Sequence, residues 1–220
     1  MKGHIVFDLD GTLVDSLPGI AEGVRRALAA MHRPAPLPRQ VRGMIGQGAK
    51  NLCAQALGYA AESAAPPDEL EEMYRLFCEF YPHCWQGDYT QPYAGMQRLL
   101  ARLAQGGARL AVLSNKPHEV TLPMVQQVFP GAPFDPILGY TGQFPRKPAP
   151  DALLAIAGQW GVLPKELTMV GDSLYDARTA SNAGCGLVLV DWGYACVADL
   201  AASGAPLAHS VAELGDFLLG

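Results

Sequence analysis

A short apolar run, Ile5-Val6-Phe7, ends abruptly in Asp8-Leu9-Asp10-Gly11, and that change of character limits what the chain can build. Its length and branching suit a strand buried on both faces, as in a parallel sheet covered by helices. Residues i and i+2 of a strand point the same way, so Asp8 and Asp10 reach one small volume at its carboxyl end. Two anions that close raise one another's pKa unless a cation lies between them. A hard divalent ion, Mg²⁺ above all, takes oxygen ligands of this kind and also gathers phosphate oxygens. Gly11 lets the backbone pass close to a ligand.

Beyond Ser16 the pattern is helical. Apolar residues at Ile20, Val24, Ala27, Leu28 and Met31 predict an amphipathic helix from Leu17 to His32. Asp15-Ser16 is expected to cap it, and the proline-rich segment from Arg33 to Pro38 is expected to be a loop. A second helical stretch, Val41 to Leu57, is broken by Gly43, Gly46 and Gly48, and a third runs from Asp68, as its cap, to about Trp85. From Gly95 the pattern alternates. Predicted helices cover Met96 to Ala104, Val120 to Val128, Asp151 to Trp160 and Asp176 to Ala183; predicted strands cover Leu110 to Leu113, Pro136 to Leu138, Leu167 to Val170 and Gly186 to Val190.

Alternation of this kind indicates an α/β protein with a doubly wound parallel sheet, a Rossmann-like core. The first strand needs that sheet for partners, so an all-helical domain of about 70 residues is inserted between it and the rest. The expected division is 1–16 with 89–220 for the core and 17–88 for the helical insert. Asp15-Ser16-Leu17 and Tyr89-Thr90-Gln91-Pro92 are the linkers.

With 50% hydrophobic residues, 17% charged residues and a net charge of -5, the chain is expected to be a soluble globular protein. It lacks the basic clusters of a nucleic-acid surface. No apolar run approaches the ~18 residues of a membrane span. The N-terminal run meets Asp8 too soon for a signal peptide, so secretion is not expected. The cysteines (Cys53, Cys78, Cys84, Cys185 and Cys196) are odd in number and form no C-x-x-C pair, which suits free, buried thiols in a reducing cytoplasm. The five histidines show no metal-ligand spacing.

Ligands of open α/β sheets bind beyond the carboxyl ends of the strands, so the residues after each apolar run can be read as one site. They are Asp8 and Asp10, then Ser114-Asn115-Lys116, then Gly171-Asp172-Ser173 with Asp176, and Arg146-Lys147-Pro148 joins them from before the fourth strand, at the mouth of a helix. Carboxylates, a hydroxyl and an ammonium converging there make a divalent-metal and phosphate set. Asp176 either caps its helix or joins the metal. Lys116 is either a surface lysine or a neighbour of the phosphate.

Asp8-Leu9-Asp10-Gly11-Thr12, Ser114-Asn115-Lys116, Lys147-Pro148 and Gly171-Asp172-Ser173 with Asp176 resemble, in order and spacing, the four motifs of the haloacid dehalogenase superfamily. The resemblance extends over essentially the whole chain and implies a helical cap. It implies Asp8 as nucleophile through an aspartyl phosphate, and Asp10 as acid and then base. It implies Mg²⁺ held by Asp8, the Asp10 carbonyl and Asp172, with Asp176 close by. Ser114 and Lys147 would grip the phosphoryl group, with Thr12, Asn115 and Lys116 beside it. The segment from Arg42 to Gly48, with Gly46 and Gly48, resembles the substrate-facing cap segment of phosphoglycolate-phosphatase-like members.

The same glycines do not make a P-loop, since Ala49-Lys50 follow Gly48, nor a dinucleotide fingerprint, since Asn51 stands where a third glycine is needed. The expected activity is therefore Mg²⁺-dependent hydrolysis of a small phosphate ester. A phosphomutase of the same superfamily is the alternative. A metal-free dehalogenase is disfavoured by Asp10, and a non-catalytic binding module by the intact Asp8, Asp10, Lys147 and Asp172. Oligomeric state is left open.

Overall fold

The structure is a computed structural model describing residues 3–220. β1 (His4–Phe7) is followed by β2 (Val14–Asp15) and four helices, α1 (Leu17–Ala30), α2 (Pro38–Arg42), α3 (Ala49–Ala56) and α4 (Pro67–Phe80). β3 (Gln91–Pro92), α5 (Met96–Gln105), β4 (Arg109–Pro117), α6 (His118–Val128), β5 (Phe134–Tyr140) and α7 (Asp151–Trp160) come next. The chain ends with β6 (Leu167–Gly171), α8 (Leu174–Ala183), β7 (Gly186–Val190), α9 (Val197–Ala202), β8 (Leu207–Ala208) and α10 (Val211–Leu219).

Six strands form a parallel sheet in the order β5-β4-β1-β6-β7-β8. β1 is central, and Ile5, Val6 and Phe7 are fully buried. That accounts for an uninterrupted apolar run where a one-sided strand would alternate. Val6 joins Ala111, Leu113 and Met169 in a core completed by Leu153, Ile156 and Trp160 of α7 and Ala180 of α8. Phe7 meets Phe134 edge-on, at 6.4 Å between ring centroids. The connection to β4 runs to one side of β1 and the strands from β6 onward lie on the other. The carboxyl end of β1 is thus the point where the winding reverses, the place at which open α/β sheets bind ligands.

The chain divides into two compact units, 1–15 with 92–220, and 16–91. In the helical unit α1 buries Ile20, Val24, Ala27 and Leu28 together with Gly19 and Gly23. A Cβ on Gly19 would run into the Cys84 carbonyl, and one on Gly23 would press on the Phe77 and Tyr81 rings. The packing face of α1 is therefore completed by two residues that hydrophobic periodicity does not count.

Several expectations are corrected. The strand expected to stop at Leu113 continues through Pro117, because Ser114, Asn115 and Lys116 stay in the sheet and are buried. Asp68 lies inside the first turn of α4, whose cap position is Pro66. α4 ends at Phe80 and gives way to a 3₁₀ turn at Tyr81–His83, since Pro82 cannot continue the hydrogen-bond ladder. Ser16 occupies the cap position of α1 without a side-chain cap bond. All five cysteines are free, but Cys78 and Cys196 are exposed. No described helix is long and apolar enough to cross a membrane.

Candidate active site

The site grows out of the end of β1. The Asp8 amide donates to the Val170 carbonyl of β6 at 2.8 Å, so the sheet itself fixes the first carboxylate. The chain then curls around the Leu9 carbonyl, which accepts the amides of Thr12, Leu13 and Val14 at 3.3, 3.0 and 3.1 Å. Gly11 makes this possible at φ +83°, and a Cβ there would strike the Asp172 carboxylate. Its close neighbour is thus a carboxylate of the protein itself.

Asp8, Asp172 and Asp176 each direct an oxygen into one cluster, all within 4.8 Å of one another. All three are buried, at 8%, 3% and 0% exposure. Lys147 enters the same cluster, its Nζ 2.8 Å from Asp8 Oδ1 and 2.6 Å from Asp176 Oδ1. Asn115 clamps that lysine from behind: its Oδ1 accepts the Lys147 amide at 2.8 Å and its Nδ2 donates to the Lys147 carbonyl at 3.0 Å. Asp10 makes a separate pair, with Lys116 Nζ 3.0 Å from both of its oxygens. Ser114 is buried beside them, its Oγ accepting the Lys116 amide at 3.3 Å.

Asp176 caps its helix, as one reading expected. Its Oδ2 accepts the amide and hydroxyl of Ser173 at 3.1 and 2.6 Å, closing a capping box on α8, while its Oδ1 faces Lys147. Lys116 is a buried strand residue rather than a surface one. Thr12 donates to Asp172 Oδ1 at 3.4 Å, so its hydroxyl faces a carboxylate of the cluster. Arg42 is exposed at the end of α2, in the helical unit with Gly46 and Gly48. Gly46 and Gly48 have φ of 113° and 91°, a backbone requirement for glycine that stands apart from any ligand.

One part of the site escaped the sequence reading. After β7 the segment Trp192-Gly193-Tyr194 returns to the cluster: the Tyr194 amide donates to Asp172 Oδ2 at 2.6 Å and its hydroxyl to Asp15 Oδ1 at 3.0 Å. The Trp192 indole donates to the Thr12 carbonyl at 3.3 Å. A Cβ on Gly193 would fall on the Asp172 side chain, and one on Gly171 on Asp176. Reading the residues after β7 in the same way as those after the other strands would have found this segment.

Electrostatics follow from burial. Desolvation, with the Asp176 charge added and Lys147 opposing, pushes Asp8 up to about 7 from 3.8. Burial, then the charges of Asp8 and Asp176, hold Asp172 well above the carboxylate range. Burial works against the Lys147 ammonium, yet Asp176 and Asp8 together hold it above the ordinary lysine range. Three buried carboxylates share one buried ammonium, so two negative charges are uncompensated when all are ionised. A hard divalent cation matches both that charge and the oxygen donors.

The parallel α/β sheet carries its carboxylate and lysine centre at the winding reversal, the edge at which enzymes of this architecture bind their ligands. A family model described as haloacid dehalogenase-like hydrolase matches residues 5–190, and the chain belongs to that family. The phosphoglycolate phosphatase of Chromobacterium violaceum is 32% identical over 97% of this chain and 95% of its own length. That of Pseudomonas putida is 35% identical over 86% of this chain and 70% of its own. A crystal structure of a candidate phosphoglycolate phosphatase from Lactobacillus delbrueckii subsp. bulgaricus superposes with a TM-score of 0.91 at 28% identity, covering 100% of this chain and 99% of that one. Within the family the chain is phosphoglycolate phosphatase-like, an enzyme of the phosphatase kind.

Proposed function

We propose that the protein is a Mg²⁺-dependent phosphomonoesterase acting in the cytoplasm on a small organic phosphate, with phosphoglycolate as the leading substrate. The observation that carries this reading is the buried Asp8 carboxylate, held 2.8 Å from Lys147 at the end of β1 beside Asp172 and Asp176. Asp8 attacks phosphorus; the P–O bond to the leaving alcohol breaks as the Asp8–phosphorus bond forms. Asp10 delivers a proton to the departing oxygen, then takes one from the water that hydrolyses the aspartyl phosphate. Lys147 and Ser114 receive the phosphoryl oxygens. Asp8, Asp172, the Asp10 carbonyl and Asp176 would hold Mg²⁺, which would offset the charge that accumulates between nucleophile and phosphate. The unit 16–91 serves as a cap, with Arg42 and the glycines through Gly48 reading the far end of the substrate.

The test is a panel of phosphate monoesters assayed with Mg²⁺, with chelator, and with Ca²⁺, whose longer bonds fit poorly. Turnover that needs Mg²⁺, is greatest on phosphoglycolate and falls by ~10³ or more in Asp8→Asn supports the reading. Full activity in chelator overturns it. Phosphoryl transfer between sugar carbons without phosphate release would make the protein a mutase.

A further inference from the structure

The second centre of interest lies beyond the ends of β4 and β5, on the far side of the Asn115–Lys147 clamp. A cavity of about 180 Å³ opens there, lined among others by Ser114, His118, Tyr140, Thr141, Gln143 and Arg146. Lys147 and Asn115 form part of the wall it shares with the site above. In a chain whose carboxylates outnumber its Lys and Arg by 21 to 16, no Asp or Glu lines this cavity.

Arg146 is its distinctive residue. The guanidinium stacks on the Tyr140 ring at 3.9 Å from the centroid. Stacking occupies the face of the group and leaves its edge, which carries the donors, directed elsewhere. Arg146 Nε is buried and has no hydrogen-bond partner, and among the described residues Arg146 makes no ion pair with a carboxylate. Neighbouring Lys147 differs: its charge is committed to Asp8 and Asp176. A buried, unpaired N–H on a cation costs free energy that an anionic oxygen would recover.

We infer that this cavity is a binding site for a small carboxylate anion, held edge-on by the Tyr140-stacked guanidinium of Arg146. The planar fork matches a carboxylate through two parallel hydrogen bonds. The His118 ring accepts the Gly139 amide at its Nδ1, 3.2 Å away; its Nε2 then carries the proton in the neutral ring, which makes it a donor as well. Thr141 and Gln143 add neutral polar groups. Because Arg146 and Lys147 are consecutive, an anion that orders one steadies the backbone of the other.

The experiment is an NMR titration of the metal-free protein, following the Arg146 Nε–Hε resonance, assigned by its loss in Arg146→Lys. Glycolate and inorganic phosphate are added in separate series. The expected result is a saturable shift of Arg146 with glycolate, accompanied by the Gly139 and Thr141 amides, whose titration is weakened at least ~10-fold in Arg146→Lys. A linear, unsaturated drift overturns the inference. So does a saturable shift of the Gly139 and Thr141 amides that survives unchanged in Arg146→Lys, and so does a response to phosphate alone, which would mark a site for phosphate rather than carboxylate. The readout is independent of phosphatase activity, so a failure here is separable from a failure of the proposed reaction.

Discussion

Lys147 Nζ lies 2.8 Å from Asp8 Oδ1, and neither side chain is more than 11% exposed. A buried pair of this kind contributes modestly when intact and costs heavily when one member is removed, because the remaining charge has no solvent to turn to. Lys147→Met should therefore lose ~3–5 kcal/mol in urea unfolding without metal. Asp8→Asn should move the other way, because Lys147 keeps Asp176 at 2.6 Å and one of the crowded carboxylates is gone, so the metal-free protein near pH 8 is stabilised while turnover is lost. A Lys147→Met protein as stable as wild type would show that the pair is solvated.

The same crowding sets a pH dependence. Asp8 titrates near 3.8 when exposed and near 7 in the fold, and Asp172 is shifted in the same direction. Across the window between those values the native state keeps a proton that the unfolded chain has released, so stability falls as pH rises. The contribution is complete below the unfolded pKa and lost through about pH 7. The exposed His209–Asp191 pair, which raises His209, works in the same direction: its contribution is also lost as pH rises. The melting temperature in chelator should drop from pH 5 to pH 8, Mg²⁺ should remove most of the drop, and Asp8→Asn should flatten it. A metal-free protein more stable at pH 8 than at pH 5 would contradict this.

Lys116 gives a kinetic discrimination. Read as a phosphate ligand, its loss should raise KM; held 3.0 Å from both oxygens of Asp10, it should instead position the acid and base. Lys116→Met is expected to lower kcat by ~10-fold or more with KM changed less than ~3-fold, as for an interaction that matters in the transition state. A rise in KM at constant kcat would return Lys116 to the substrate.

These residues also show what was legible in the sequence and what was not. Asp8, Asp10, Asp172 and Asp176 could be read because they follow apolar runs whose ends share one edge in a parallel sheet, and Lys147 because it stands with Pro148 at the mouth of a helix. The partners of Lys116 and Asn115 could not, because a pairing across more than thirty residues leaves no local pattern. The position of Tyr194 after β7 was open to the same reading, but its bond to Asp172 was not, because that bond comes from the backbone amide and an amide has no residue type to recognise. Gly19 and Gly23 were missed because they pack by being small, which hydrophobic periodicity cannot register.

Substrate choice in the proposed reaction falls to Arg42. A small phosphate offers little beyond its phosphoryl group, so discrimination needs a donor for its other end. Arg42→Ala should impair hydrolysis of phosphoglycolate by ~10-fold or more, the scale of one charge-assisted hydrogen bond. Hydrolysis of an aryl phosphate without a carboxylate should change much less. Equal losses on both substrates would remove Arg42 from carboxylate recognition.

Gly193 tests the Tyr194 contact without altering any carboxylate. Asp172 fills the space where a Cβ on Gly193 would sit, just as it fills the space beside Gly11. At Gly11 the positive φ makes any substitution strained in its own right, whereas no such strain attaches to Gly193, so Gly193→Ala isolates the steric effect. The added methyl must displace either the Asp172 carboxylate or the segment that donates the Tyr194 amide to it at 2.6 Å. Either movement spoils the alignment of Asp172 with Asp8 and Asp176, and metal sites lose affinity when a ligand's hydrogen-bonding partner is disturbed, by ~10–100-fold. Gly193→Ala should weaken Mg²⁺ binding by that amount in calorimetry, with the circular dichroism of the fold retained. Tyr194→Phe keeps the backbone amide and removes the hydroxyl bond to Asp15, so it should leave Mg²⁺ affinity within ~3-fold of wild type. If Tyr194→Phe is the more damaging of the two, the bond to Asp15 rather than the fit around Asp172 governs the metal site.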